Sequence, residues 1–240
     1  MLYNSLMITF GYQPPRQSFN NLDDYESWVA NDWLYPLGSN EAQRHTRAKL
    51  EEEVVELADA FVGGSRDEII SEMGDVLWTA EAVAMNEGFM LEGAVRYSVR
   101  GEGMPADTLT LETIDNVART TDVAWDVPVI KALYGLSDSE VQAGIETGDD
   151  RIVRLVLSSL GNELGKSARI VRVLPDPEDG WTRLHEVRAA EALGQIVLLV
   201  SYLAQSRCDS TLAEVMTANH DKLAARLANK EPVTKQPRSV

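Results

Sequence analysis

Apolar residues recur at helical spacing through most of the chain. Leu22, Tyr25, Trp28 and Val29 fall on one face of a first helix, because three- and four-residue intervals mark a helix with one buried side. Pro36 and Gly38 end that segment. A second helix, roughly 41–62, carries Leu50, Val54, Leu57, Ala58 and Phe61 as its stripe, and Gly63-Gly64 stops it. Ser65 is placed to cap a third helix running to about Asn86, closed by Gly88. A shorter helix covers about 91–100. Residues 1–20, with Gly11, Pro14 and Pro15, read as an extended arm or loop. Alternation of the kind a strand needs is confined to 117–130, where Pro128 interrupts it. The pattern predicts an all-α protein.

Beyond GEGMPAD (101–107), a linker by composition, the order of elements recurs. Leu111, Ile114 and Val117 echo Leu22, Tyr25 and Trp28. SLGNELGKSARIV (159–171) follows the register of KLEEEVVELADAF (49–61), and ALGQIVLLV (192–200) that of EMGDVLWTA (72–80). TLAEVMTANHDKLAARL (211–227) then stands where MLEGAV (90–95) stood. The shared order implies an internal duplication, with an insertion of about twenty residues near 122–150 and a longer connection at 172–187 containing Pro175 and Pro177.

Charge narrows the partners. Lys and Arg total 22 against 38 Asp and Glu, a net charge of -16. So acidic a surface repels phosphate backbones and anionic lipids, which argues against nucleic acid and membrane partners. A phosphorylated small molecule stays possible where a cation screens it from the carboxylates. Cys208 is the single cysteine, and His45, His185 and His220 lack metal-ligand spacing, so neither a disulfide nor a cysteine-rich zinc site is expected. A reducing, cytoplasmic location follows from that usage. No apolar run is expected to reach the roughly 20 residues of a membrane span, and the N-terminus does not read as a signal peptide.

The informative residues are Glu52-Glu53-Val54-Val55-Glu56 and Glu72-Met73-Gly74-Asp75. Positions three apart share a helix face, so Glu53 projects with Glu56 and Glu72 with Asp75. Gly63-Gly64 permits a reversal that packs the two helices antiparallel with both pairs facing. Carboxylates so gathered repel one another unless a cation sits among them, and oxygen-only ligands select a hard ion, Mg2+ or in its place Mn2+. Glu53 lies beside the apolar stripe and Asp75 precedes Val76-Leu77-Trp78, and acids on a buried side need a partner.

KLEEEVVELADAF followed by EIISEMGDVLW resembles the EExxE…ExxD core of the MazG-like nucleoside triphosphate pyrophosphohydrolases. These belong to an all-α group with dimeric dUTPases, dCTP pyrophosphatases and phosphoribosyl-ATP pyrophosphohydrolase. LAEVMTANHDKLAARL resembles the family's closing helix, with Asn219, Lys222, Leu223 and Arg226 in its Asn-x-x-Lys-Leu-x-x-Arg pattern. The likeness covers 22–100 and, more loosely, 159–229. It implies Glu53, Glu56, Glu72 and Asp75 as metal ligands. Lys49, Asn219, Lys222 and Arg226 become phosphate or substrate contacts. Glu52 either orients water beside the metal or is simply exposed. Trp28, Trp33 and Tyr35 become candidates for the nucleobase, each with core packing or a helix end as the plainer role.

The resemblance further implies tandem MazG-like four-helix-bundle repeats forming a pseudo-dimer in one chain, a monomer or homodimer in solution. The expected divisions are an arm at 1–20, a repeat with the metal site at 21–104, a degenerate repeat at 105–230 and a tail at 231–240. Ser98 and Val99-Arg100 stand where the first repeat would carry Asn and Lys. Glu163, Lys166, Ala192 and Gln195 stand where the second would carry its ligands, so one active site is expected. The implied reaction is attack of water, oriented by a carboxylate or the metal, at the α-phosphorus of a (d)NTP, giving monophosphate and pyrophosphate. Phosphoribosyl-ATP hydrolysis and a non-catalytic nucleotide-binding regulatory module are the alternatives.

Overall fold

A computed structural model describes residues 18–32, 37–99, 109–120, 137, 139, 140, 143, 150–175 and 182–228. Eight helices account for most of them: α1 (Leu22–Asp32), α2 (Asn40–Gly63), α3 (Arg66–Glu87), α4 (Leu91–Ser98), α5 (Leu111–Thr120), α6 (Asp150–Arg172), α7 (Arg183–Cys208) and α8 (Leu212–Ala228). The described residues contain no strand, only an isolated antiparallel bridge between Asn21 and Thr110. The expected linker at 101–107, Trp33, Tyr35 and Pro36, most of the insertion at 122–150, and Pro177 lie outside the described residues. So do 1–17 of the arm and the tail at 231–240.

Capping chemistry fixes the boundaries that matter. Ser39 accepts from the Ala42 amide at 3.2 Å and starts α2. Ser65 and Glu68 form a reciprocal capping box, the Ser65 amide donating to Glu68 Oε2 at 2.7 Å, which satisfies two otherwise orphaned donors and sets the phase of α3. Gly88 closes α3 in the left-handed region at φ 77°, a conformation that costs glycine little. Helix α4 ends at Ser98 rather than near residue 100. Phe19, expected within a loose arm, is buried and meets Tyr25 edge-on with ring centroids 5.1 Å apart.

Helices α3 and α7 occupy the centre. Both are apolar around most of their circumference, buried from Met73 to Ala84 and at most positions from Ala192 to Ala204, as expected for helices packed on every side. They pack on each other, α2 covers α3, α6 covers α7, and α2 and α6 pack together. The short helices cross over: α4 lies chiefly on α7, whereas α8 lies on α3. Helix α7 corrects one expectation, for its length and composition would allow it to cross a membrane. Its most apolar 18-residue stretch is 67% buried within the fold, which accounts for that apolarity as core packing.

Candidate metal and phosphate site

Helices α2 and α3 bring three of the four expected ligands together. Glu53, Glu56 and Glu72 each offer a carboxylate oxygen, all within 4.8 Å of one another. Glu53 is buried, and its Oε2 has no hydrogen-bond partner. A buried anionic oxygen without a partner is costly, and with only hard oxygen donors around it this group fits a divalent cation. Glu53 is pushed up to about 7, first by burial and next by the Asp75 charge, against the pull of Lys49.

Asp75 lies outside this group of three, though its charge acts on Glu53. Its Oδ1 accepts from Asn219 Nδ2 at 2.9 Å and from Lys222 Nζ at 2.5 Å. Lys222 also donates to Ser71 Oγ at 3.0 Å and to the Ser71 carbonyl at 3.2 Å. Two residues from the last helix, more than 140 positions away along the chain, therefore reach the acidic motif of α3. A Cβ built on Gly74 would lie 2.6 Å from the Asn219 Cβ, so the glycine is what lets α8 approach this closely.

On α2, Lys49 Nζ sits 2.8 Å from Glu53 Oε1 and 3.1 Å from Glu52 Oε2. Burial lowers the Lys49 ammonium, but hydrogen bonds and charge from Glu53 and Glu52 outweigh it and leave it raised. The Glu52 side chain is half exposed and pairs with Lys49, outside the three-carboxylate group. Trp28 is buried in an aromatic cluster, its ring 5.3 Å from Tyr25 and 5.2 Å from His220. Arg226 lies a turn beyond Lys222, and none of the described contacts brings it to the carboxylates.

Four residues at the site carried no individual signal in the sequence. Tyr25 donates its hydroxyl to Asn219 Oδ1 at 3.4 Å, Ser71 receives Lys222, Gly74 seats α8, and His220 packs on Trp28. For Gly74 the one available cue was its place as the small residue inside the ExxD motif. The positions of α6 and α7 that the sequence register sets beside these differ in chemistry. Lys166 is paired with Glu163, Ser167 Oγ donates to Gln195 Oε1 at 3.3 Å, and position 192 is alanine.

Among the described residues these features define a helical protein whose acidic helical hairpin receives cationic and amide donors from α8. Residues 41–100, spanning α2, α3 and α4, match the family model of the MazG nucleotide pyrophosphohydrolase domain, and that segment is similar to it. Comparisons with curated proteins and with solved structures return no match. The matched family is divalent-metal dependent and acts on acid anhydrides of nucleotides, which agrees with the oxygen-only donor set.

Proposed function

We propose that the protein hydrolyses a nucleoside triphosphate to the monophosphate and pyrophosphate, with Mg2+ held by Glu53, Glu56 and Glu72 and completed by Asp75. The observation that carries this reading is the three-carboxylate group with Asp75 beside it, whose charge acts on Glu53 and whose carboxylate receives Asn219 and Lys222. The cation supplies charge neutralisation for the phosphates against an acidic protein. Lys222 and Lys49 bind phosphate oxygens, Asn219 orients the chain of phosphates through its amide, and the aromatic group of Phe19, Tyr25, Trp28 and His220 bounds the nucleoside side. Fixed donors aimed at a developing pyrophosphate charge lower the barrier without reorganising.

The same reading treats the chain as two repeats, 21–104 and 105–230, related as a dimer would be, with one working site. Three observations support it. Asn21 and Thr110, each immediately preceding the first helix of its half, bridge to one another, as equivalent residues do at a two-fold axis. Helices α4 and α8 exchange places between the halves. Gly74 is approached by Asn219, and Gly194, its counterpart, by Ala94 and Ser98. The second half keeps the packing and replaces the acids.

Incubation with each NTP, dNTP and phosphoribosyl-ATP in Mg2+, assayed for phosphate with and without added pyrophosphatase, tests the activity. Signal that requires pyrophosphatase is expected for at least one substrate. Phosphate released equally without it would point to a terminal phosphatase instead, and phosphoribosyl-ATP as sole substrate would select the alternative.

A further inference from the structure

Lys222 is held differently from the other lysine at the site. Its Nζ has three acceptors, Asp75 Oδ1 at 2.5 Å, Ser71 Oγ at 3.0 Å and the Ser71 carbonyl at 3.2 Å, which uses the three donors of an ammonium. Only Asp75 among them is charged. Lys49, in contrast, contacts two carboxylates, Glu53 and the half-exposed Glu52. A cation entering the group formed by Glu53, Glu56 and Glu72 therefore leaves Lys49 with Glu52 as a counter-charge. Among the described contacts Lys222 has no such reserve.

Asp75 is the largest charge acting on Glu53, so it lies within electrostatic reach of a cation bound there. Its Oδ1 already serves both Asn219 and Lys222. A divalent ion competes for that carboxylate with twice the charge of an ammonium and repels the ammonium beside it. The backbone of α8 stays seated at Gly74, while the four-carbon stem of Lys222 leaves its head free to turn.

We propose that Lys222 is an exchangeable counter-ion: it holds Asp75 in the unloaded protein and passes to the substrate's phosphates when a divalent cation claims Asp75. One ammonium then couples cation binding to nucleotide binding, and linkage makes the coupling reciprocal. The proposal rests on the reading of the site given above, and it adds an order of charges to it: cation and polyphosphate favour each other, and either alone works against the Lys222–Asp75 pair.

Isothermal titration of Mg2+ into the nucleotide-free protein, and of inorganic tripolyphosphate with and without Mg2+, tests this on wild type, Lys222→Met, Lys222→Gln and Lys49→Met. With the competitor gone, both Lys222 variants bind Mg2+ alone about fivefold or more tightly, yet bind tripolyphosphate in Mg2+ about tenfold more weakly, as for a lost charge-assisted contact. The factor by which Mg2+ strengthens tripolyphosphate binding collapses in these variants and persists in Lys49→Met, which removes the same charge nearby. Unchanged or weaker Mg2+ binding in both Lys222 variants overturns the exchange, as does an undiminished coupling factor. If Glu53→Gln abolishes Mg2+ binding while the Lys222 variants match wild type, the metal site stands and the exchange falls. A wild-type protein that takes up no Mg2+ overturns both. Thermal melts of the two Lys222 variants establish that each is folded.

Discussion

Asn219 lies so close to Gly74 that a side chain at position 74 would place its Cβ 2.6 Å from the Asn219 Cβ. The crossing of α8 over α3 is set by that glycine, and the donors of α8 reach Asp75 because of it. Gly74→Ala must push α8 outward or force its side chains from their rotamers, a cost of about 1–3 kcal/mol. The expected result is a lower melting temperature with Mg2+ binding retained and tripolyphosphate binding lost. Gly194→Ala meets the Ala94 carbonyl at 2.2 Å and Ser98 Oγ at 2.3 Å and should destabilise as much while sparing the affinity of the folded protein for tripolyphosphate. Equal loss of that affinity in both variants would refute the separate role of Gly74.

Stability of the metal-free protein should fall with rising pH. Glu53 is raised from 4.5 to about 7 in the fold, so the folded state holds its proton more tightly than the unfolded chain. The contribution is fully present below the unfolded pKa and is lost as pH rises through about 7, a swing on the order of 3 kcal/mol. Melting curves in chelator at pH 5 and pH 8 should differ in wild type and differ less in Glu53→Gln, where the buried Glu81 still contributes. A wild-type profile that rises from pH 5 to pH 8 with Glu53→Gln unchanged would contradict the assignment.

How much of this was legible beforehand depends on the range of the interaction involved. Helix phase is local, so the spacing of Glu53, Glu56 and Glu72 and the caps at Ser65 and Gly88 could be read directly from the sequence. The resemblance of the closing helix to the MazG-like family, rather than spacing, pointed Asn219 and Lys222 at a phosphate site. What could not be read is which side chains already neutralise one another. Asp75 was grouped with the three glutamates, and its side chain also receives two donors from α8. Phe19 looked like part of a loose arm because a single aromatic before a helix carries no period. Helix α7 escaped notice as an apolar run because Glu191 and Gln195 interrupt its sequence, although its fold position buries the faces around them.

Glu81 is another acid that local pattern does not explain. It is fully buried, and neither carboxylate oxygen has a hydrogen-bond partner. Burial, then the charges of Glu26 and Asp23, hold its carboxyl well above the usual range. Ser201, which the proposed repeat would set in register with it, donates to Asp115 at 2.6 Å. Glu81→Gln removes an acid whose ionised form the fold disfavours, so it should stabilise by roughly 1–3 kcal/mol at pH 8 and much less at pH 5. Denaturant titrations at the two pH values check this, and destabilisation at both would show that the acid is needed.

The second half should do no chemistry. Glu163 is paired with Lys166, and alanine at 192 and Gln195 leave no acidic group there like that of the first half. Glu163→Gln is expected to keep turnover within about twofold of wild type, whereas Glu56→Gln should lose turnover by about a hundredfold or more, as when a group stabilising the transition state is removed. A comparable loss in Glu163→Gln, measured as pyrophosphate release, would place a working group in the second half.

The most direct test of the pyrophosphohydrolase reading is to run the reaction in 18O-labelled water with Mg2+ and the best nucleoside triphosphate, and to locate the label by mass spectrometry. Attack at the α-phosphorus puts one labelled oxygen in the nucleoside monophosphate and none in the pyrophosphate. Label in pyrophosphate or free phosphate, with unlabelled monophosphate or a diphosphate product, would contradict the account.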